Sequence, residues 1–208
     1  KAKHTFNKRE ISSGVEGIVY KSKLDNIPFV LKRMNLSEIV DDKGIFKSIL
    51  KLTPNQLYKL FLTEHVFNKP TFIEIVAQTL INQIVLQKIC PNFVLNYYWR
   101  FKQSNGSLFL ESFNEYINCC TFDEWLNKNT YTLDIYKNAI FQIMVALYTL
   151  KKYFNMLHTD LHLGNVLLYK PIDNGFIEYH YHLLDTSTTS FKSQYLVKII
   201  DYGRCFFN

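Results

Sequence analysis

Cysteine is scarce in this chain of 208 residues, and Cys90, Cys119, Cys120 and Cys205 form neither a C-x-x-C pair nor a His/Cys cluster at zinc spacing. That pattern indicates neither a metal knuckle nor a disulfide framework, and a reducing compartment is its simplest setting. Glycine and proline are also few, seven and five residues, and no linker or low-complexity tract divides the chain. Long apolar runs are missing: the longest, Ala139 to Leu150, is broken by Gln142 and Thr149 and falls short of the about 20 residues that cross a bilayer. The first residues carry no charged-then-apolar signal pattern. Like charges never gather into a block, so although the net charge of +6 suits an anionic ligand, nucleic acid is not an expected partner. The expected setting is intracellular, cytoplasmic or nuclear, with no membrane partner.

What the chain has in quantity is apolar and aromatic material. At 48% hydrophobic and 16% aromatic it can fill the core of one large domain or two small ones. Glu10 to Met34 reads as an antiparallel meander, with a glycine turn at Gly17 and a second turn at Asp25-Asn26. Leu36 to Pro70 is irregular, with a helix start at Thr53-Pro54. Apolar residues at 72, 75, 76, 80, 81, 84 and 86 predict one long helix over Thr71 to Ile89, ended by Cys90-Pro91-Asn92. Two strands, Val94 to Phe101 and Ser107 to Phe113, flank the hairpin signal Ser104-Asn105-Gly106. Beyond Glu115 the character changes to helix, with starts at Thr121 and Asp134, followed by short strands at Val166-Leu168 and Val197-Ile200. The expected division is residues 1–115 and 116–208, with an extra strand over Ile177 to Leu183.

The chemistry concentrates in His158-Thr159-Asp160-Leu161-His162-Leu163-Gly164-Asn165, two histidines, an aspartate and an asparagine within eight residues. A second acidic site follows in Lys198-Ile199-Ile200-Asp201-Tyr202-Gly203-Arg204. These stretches resemble the protein-kinase patterns H-R-D-L-x-x-x-N and D-F-G. The other kinase motifs appear upstream in the family's order. Ser12 to Lys21 resembles the glycine-rich loop G-x-G-x-x-G-x-V, with Ser12 in the first glycine position, Gly14 and Gly17 in the other two and Val19 in that of the valine. Val30-Leu31-Lys32 resembles V-A-I-K, Cys90-Pro91-Asn92-Phe93-Val94 resembles H-P-N-I-V, and Phe113 to Ile117 resembles the hinge. Within the superfamily the chain is most similar to haspin-like serine/threonine kinases. That narrower likeness rests on His162 after D-L, Gly164 before Asn165, the V-L-L that follows, the long insert it marks at about 171–195 and I-I-D-Y.

The resemblance implies an α+β, bilobal kinase-like fold: an antiparallel N-lobe sheet with one main helix, then an incomplete, mainly helical C-lobe. It implies ATP and Mg2+ as cofactors and a protein substrate, because phosphoryl transfer asks a protein mostly for positioning and charge neutralisation. Ser12, Gly14, Gly17 and Val19 would form the phosphate loop, where small residues allow close backbone approach. Lys32 would hold the α and β phosphates with Glu74 as its carboxylate partner; Glu64 is the second choice. Asp160 would take or orient the hydroxyl proton, Asn165 and Asp201 would supply hard oxygen ligands to magnesium, and His158 would brace the loop. Glu115 and Ile117 would meet adenine through the backbone, with Asn114 in the gatekeeper position.

Two departures leave alternatives open. His162 stands where serine/threonine kinases usually carry lysine, and D-L-H-x-G-N is shared with aminoglycoside-type phosphotransferases, so a small-molecule kinase is one alternative. The chain stops five residues after Gly203, without an activation segment, so it reads as a fragment of a longer kinase or as a nucleotide-binding pseudokinase. Retention of Lys32, Asp160, Asn165 and Asp201 favours the fragment. Taken singly each motif has a plainer reading: a β-turn at Ser12 to Gly17, a solvated lysine at 32, a first-turn carboxylate at Glu74, a core histidine at 158. Together, in the family's order, these motifs are not independent accidents.

Overall fold

Two turns that need left-handed backbone set the first sheet. In a computed structural model describing residues 8–14, 17–36, 56, 69–128, 132–183 and 187–207, β2 (Gly17–Leu24) and β3 (Ile27–Asn35) meet at Asp25 and Asn26, φ 48 and 67. Likewise β4 (Asn96–Ser104) and β5 (Ser107–Glu115) meet at Asn105 and Gly106, φ 50 and 78. Two-residue hairpins of this hand match the twist of their strands, and Asn, Asp and Gly are the residues that tolerate it. With β1 (Arg9–Gly14) the strands form an antiparallel sheet in the order β1-β2-β3-β5-β4.

One face of this sheet is covered by α1 (Pro70–Leu86), whose Phe72 and Ile75 pack on Met34, Leu36, Leu108 and Leu110. Proline at the first helical position suits the helix start, since its missing N–H is one that the helix leaves unpaired. The helix was expected to run to Ile89. It stops at Leu86, where Lys88 turns left-handed (φ 58), its N–H donates to Val85 O at 3.1 Å and the Ile89 N–H donates to Ile84 O at 2.9 Å. This is a Schellman ending built on a lysine instead of a glycine, which is why no sequence signal marked it. The expected helix start at Thr53-Pro54 and the second-choice carboxylate Glu64 lie outside the described residues.

The first compact unit of the chain comprises the described residues up to Gln83, with Leu95–Tyr116 and Tyr202–Cys205. The second comprises Ile84–Val94, Ile117–Asp201 and the chain end. Its helix α2 (Phe122–Lys128) begins in a capping box: Glu124 N–H donates to Thr121 Oγ1 at 3.1 Å, and Thr121 N–H to Glu124 Oε2 at 3.2 Å. The long α3 (Leu133–Phe154) is capped by Thr132, two residues before the expected start, and ends on left-handed Asn155, φ 50. Against these helices lies a three-stranded antiparallel sheet, β11-β8-β6, made of β6 (Cys119–Thr121), β8 (Val166–Tyr169) and β11 (Leu196–Ile199). Phe122, Trp125, Ala139, Val166, Leu168 and Val197 form the core between them. Short β7 (Met156–Leu157) pairs with β12 (Phe206–Phe207).

The extra strand expected over Ile177 to Leu183 is present as β9, and the insert holds a second one, β10 (Ser187–Ser193), paired with it along its length. The result is α+β with mainly antiparallel sheets and three α-helices among the described residues. None of those helices is long and apolar enough to cross a membrane.

Aromatic rings from the hairpin pack on α3: Phe141 meets Tyr181 and Phe191 at centroid distances of 5.7 and 5.3 Å. Burial pushes the Tyr179 phenol up to about 12, with Tyr169 adding to it, raises Tyr181 further, and lifts the Cys119 thiol to about 11 with help from Cys120 and Glu124. Acids raised by folding stabilise the fold fully below their unfolded values, about 8.5 for a thiol and about 10 for a phenol, and that stability drains as pH climbs from there through the raised folded values. The urea midpoint is therefore expected to fall steadily above about pH 9. Tyr179→Phe should flatten part of the slope because it removes the titrating phenol, and it costs no hydrogen bond, since that buried hydroxyl has no partner among the described residues. An unchanged pH profile in that variant would contradict this account.

Candidate active site

The glycine loop joins β1 to β2, with Gly14 paired to Gly17, Ser13 to Ile18 and Ser12 to Val19; Val15 and Glu16 lie outside the described residues. Gly17 sits at φ 147, and a Cβ there would stand 2.4 Å from the Arg33 carbonyl oxygen. The closeness of β3 thus requires glycine at 17, whatever else binds at the loop. Val19 stands opposite Lys32 in the sheet, and Lys32 opposite Ser112.

Lys32 lies on the α1 face of the sheet, and its ammonium reaches Glu74 Oε2 at 2.6 Å across a sequence separation of 42. The lysine side chain is 15% exposed and that of Glu74 3%, so water screens the pair far less than a surface bridge. From Glu74 a buried polar chain continues. Gln78 Nε2 donates to Glu74 Oε1 at 3.2 Å, Ser112 Oγ donates to Gln78 Oε1 at 3.0 Å, and Asn114 Nδ2 donates to Ser112 Oγ at 3.1 Å. Asn96 Nδ2 donates to both Ser112 Oγ and Asn114 Oδ1, at 2.8 and 2.9 Å. The chain thereby links the ion pair to Asn114, which the kinase resemblance puts in the gatekeeper position. Sequence reasoning missed Gln78, Ser112 and Asn96. One signal was available: Thr71, Glu74, Gln78 and Asn82 form a polar stripe at helical spacing on a mainly apolar helix. Glu115 closes β5, its N–H donating to Leu95 O at 2.8 Å and its carboxylate accepting from Leu95 N–H at 3.2 Å. Ile117 belongs to the second unit, half-buried ahead of β6.

In the second unit the loop His158 to Asn165 is laced to the segment ending in Asp201. Ile200 is held by both of its peptide groups: its carbonyl accepts from His158 Nε2 at 3.1 Å, and its N–H donates to Asn165 O at 3.1 Å. Asn165 is buried, and its Nδ2 donates to Asp160 O at 3.1 Å, which leaves its Oδ1 as the acceptor able to face a cation. Burial lowers the His158 pKa, against the pull of its bond to Ile200 and of the nearby Asp201 and Asp160 carboxylates. His158 is therefore a neutral brace with Nε2–H directed at the Ile200 carbonyl. His162 is exposed; its Nδ1 accepts the Gly164 N–H at 3.2 Å and caps the single 3-10 turn Leu163–Asn165. A Cβ on Gly164 would press to 3.0 Å from that ring.

Two non-glycine residues here adopt left-handed backbone, Thr159 at φ 54 and Asp201 at φ 66. Such conformations cost free energy and persist where the surroundings over-determine them. Asp160, Asn165 and Asp201 are all oxygen donors, the type that hard divalent cations take. The described residues hold no cluster of three or more His, Cys, Asp or Glu side chains suited to a metal.

Over 94 residues the chain is 34% identical to a probable serine/threonine-protein kinase of Dictyostelium discoideum. The likeness is to a protein kinase. It covers 43% of this chain and 8% of that protein, so the chain spans only a small part of its relative's length. No protein-family model matches the chain.

Proposed function

We propose that the chain is part of a serine/threonine protein kinase of the haspin-like type, and that its two compact units are the N-lobe and C-lobe of one kinase domain. The observation that carries this reading is the double fastening of Ile200 to His158 and Asn165, which draws the Asp160 loop and the Asp201 segment together within one unit. The 34% identity to a probable serine/threonine kinase supports it independently. In the first unit Lys32 would hold the α and β phosphates of ATP, with Glu74 fixing its ammonium and Gln78 fixing Glu74. Ser12, Gly14, Gly17 and Val19 would shape the phosphate loop, and the backbone of Glu115 and Ile117 would meet the adenine.

In the second unit Asp160 would orient the attacking hydroxyl and take its proton. Asn165 and Asp201 would hold Mg2+, which when bound neutralises charge on the transferring phosphates. His158 keeps the loop and the Asp201 segment in register through Ile200. The test is transfer of labelled γ-phosphate from magnesium-ATP to a basic, hydroxyl-rich protein, run beside Asp201→Asn. Label appearing on serine or threonine, and lost in the variant, is the expected result. Label appearing on an aminoglycoside and on no protein would replace this reading with the small-molecule one.

A further inference from the structure

The sheet face opposite α1 carries a cluster that phosphoryl transfer does not use. Arg33 on β3 and Arg100 on β4 stand directly across from Glu111 on β5. Arg33 Nε and Nη2 donate to Oε1 at 3.0 and 2.5 Å, and Arg100 Nε and Nη2 to Oε2 at 2.9 and 2.7 Å. Burial alone would raise the Glu111 carboxyl, but these bonds and charges outweigh it and hold it below the usual carboxylate range. The two arginine forks already satisfy both oxygens.

Two further cations stand beside them, Lys8 and Lys102, with ammonium groups 3.7 and 3.8 Å from Oε1. Glu111 is the only carboxylate that pairs with these four among the described residues, so four cations share one anion. The Glu111 side chain is wholly buried, whereas those of Lys8, Arg33, Arg100 and Lys102 are 23, 21, 37 and 40% exposed. The surplus positive charge therefore faces solvent. Phe109 under Arg33 and Phe113 under Arg100, at 5.0 and 5.1 Å, hold the guanidinium planes in place.

We infer that this face is a docking site for an acidic segment of a protein partner, whose carboxylate or phosphate anchors on Lys8, Lys102 and the outward edges of the two arginines. Charge complementarity selects the sign of the ligand, and compactness selects its class. All four cations lie within 4 Å of one carboxylate, which fits one or two anchoring groups on a peptide, whereas nucleic acid spreads its contacts over successive phosphates. Arginine and lysine clusters of this kind recognise acidic and phosphorylated motifs.

The experiment is fluorescence anisotropy of the full chain with a labelled glutamate- and serine-rich peptide and with its phosphoserine counterpart, which distinguishes the two anchoring anions. Lys8→Gln/Lys102→Gln leaves the Arg33–Glu111–Arg100 bridge intact and should keep the fold. It is expected to weaken peptide binding by about fivefold or more, with binding also falling as salt rises. Lys23→Gln/Lys192→Gln, placed elsewhere on the surface, should leave affinity unchanged. Equal affinity in both double variants, no peptide binding by the unaltered chain, or preference for a single-stranded oligonucleotide over the peptide would each overturn the inference.

Discussion

Replacing Asp160 by asparagine is expected to lower phosphoryl transfer to serine or threonine by about two to four orders of magnitude. Magnesium-dependent affinity for ATP should stay within about twofold. The substitution keeps the shape of the side chain and two backbone contacts of this residue, the Asp160 N–H to His158 O at 2.8 Å and the Asn165 Nδ2–H to Asp160 O at 3.1 Å. What it removes is the carboxylate that would receive the hydroxyl proton, an interaction made in the transition state and not in nucleotide binding. Single-turnover transfer and equilibrium binding of a fluorescent ATP analogue separate the two. A matching loss in rate and affinity would assign Asp160 to nucleotide binding; an unchanged rate would remove it from the chemistry altogether.

The second large effect concerns stability. Asn92 is fully buried and joins four segments of the second unit. Its Nδ2 donates to Gln142 Oε1 at 3.0 Å and to Val197 O at 2.9 Å, while its Oδ1 accepts from Tyr181 Oη at 2.8 Å and from Cys90 Sγ at 3.4 Å. Its own carbonyl accepts the Ile199 N–H at 2.9 Å. Asn92→Ala keeps that last bond and deletes the rest, leaving the Tyr181 hydroxyl and the Val197 carbonyl buried without this partner. At about 1–3 kcal/mol for each orphaned group, the variant should lose about 3 kcal/mol or more. Urea denaturation followed by circular dichroism reads this directly. A loss under about 1 kcal/mol would mean that water or neighbouring groups take over those bonds.

What the sequence made legible was local. Asp25-Asn26 and Asn105-Gly106 announce their turns because left-handed backbone restricts the residue types that fit, and Thr121 with Glu124 announces a helix start. Lys32 and Glu74 stood out because a strand lysine and an early helix carboxylate occur in a known order. The stretch Cys90 to Val94 was legible as a motif, but the bonds of Asn92 within it were not, because these partners lie 50, 89 and 105 positions away. Nor was β10, whose Ser-Thr-Thr-Ser is polar and whose strand state comes from pairing with β9 and from Phe191 packing on Phe141. Glu111 reads as an outward strand residue, which it is by alternation. Its complete burial comes from cations on other strands, and a single strand's pattern carries no record of them.

The hairpin β9–β10 leaves the sheet at Tyr169 and returns at Leu196, two residues paired across β8 and β11. By its ends alone it could be excised and the gap closed by a tight turn. Its interior has removed that freedom. Tyr181 supplies the hydroxyl that Asn92 accepts, Tyr181 and Phe191 cover Phe141 of α3, and the Lys192 carbonyl accepts from Asn138 at 3.2 Å. The hairpin is thus anchored from within and not at its ends, and a shortened loop would have to replace those bonds and that cover all at once.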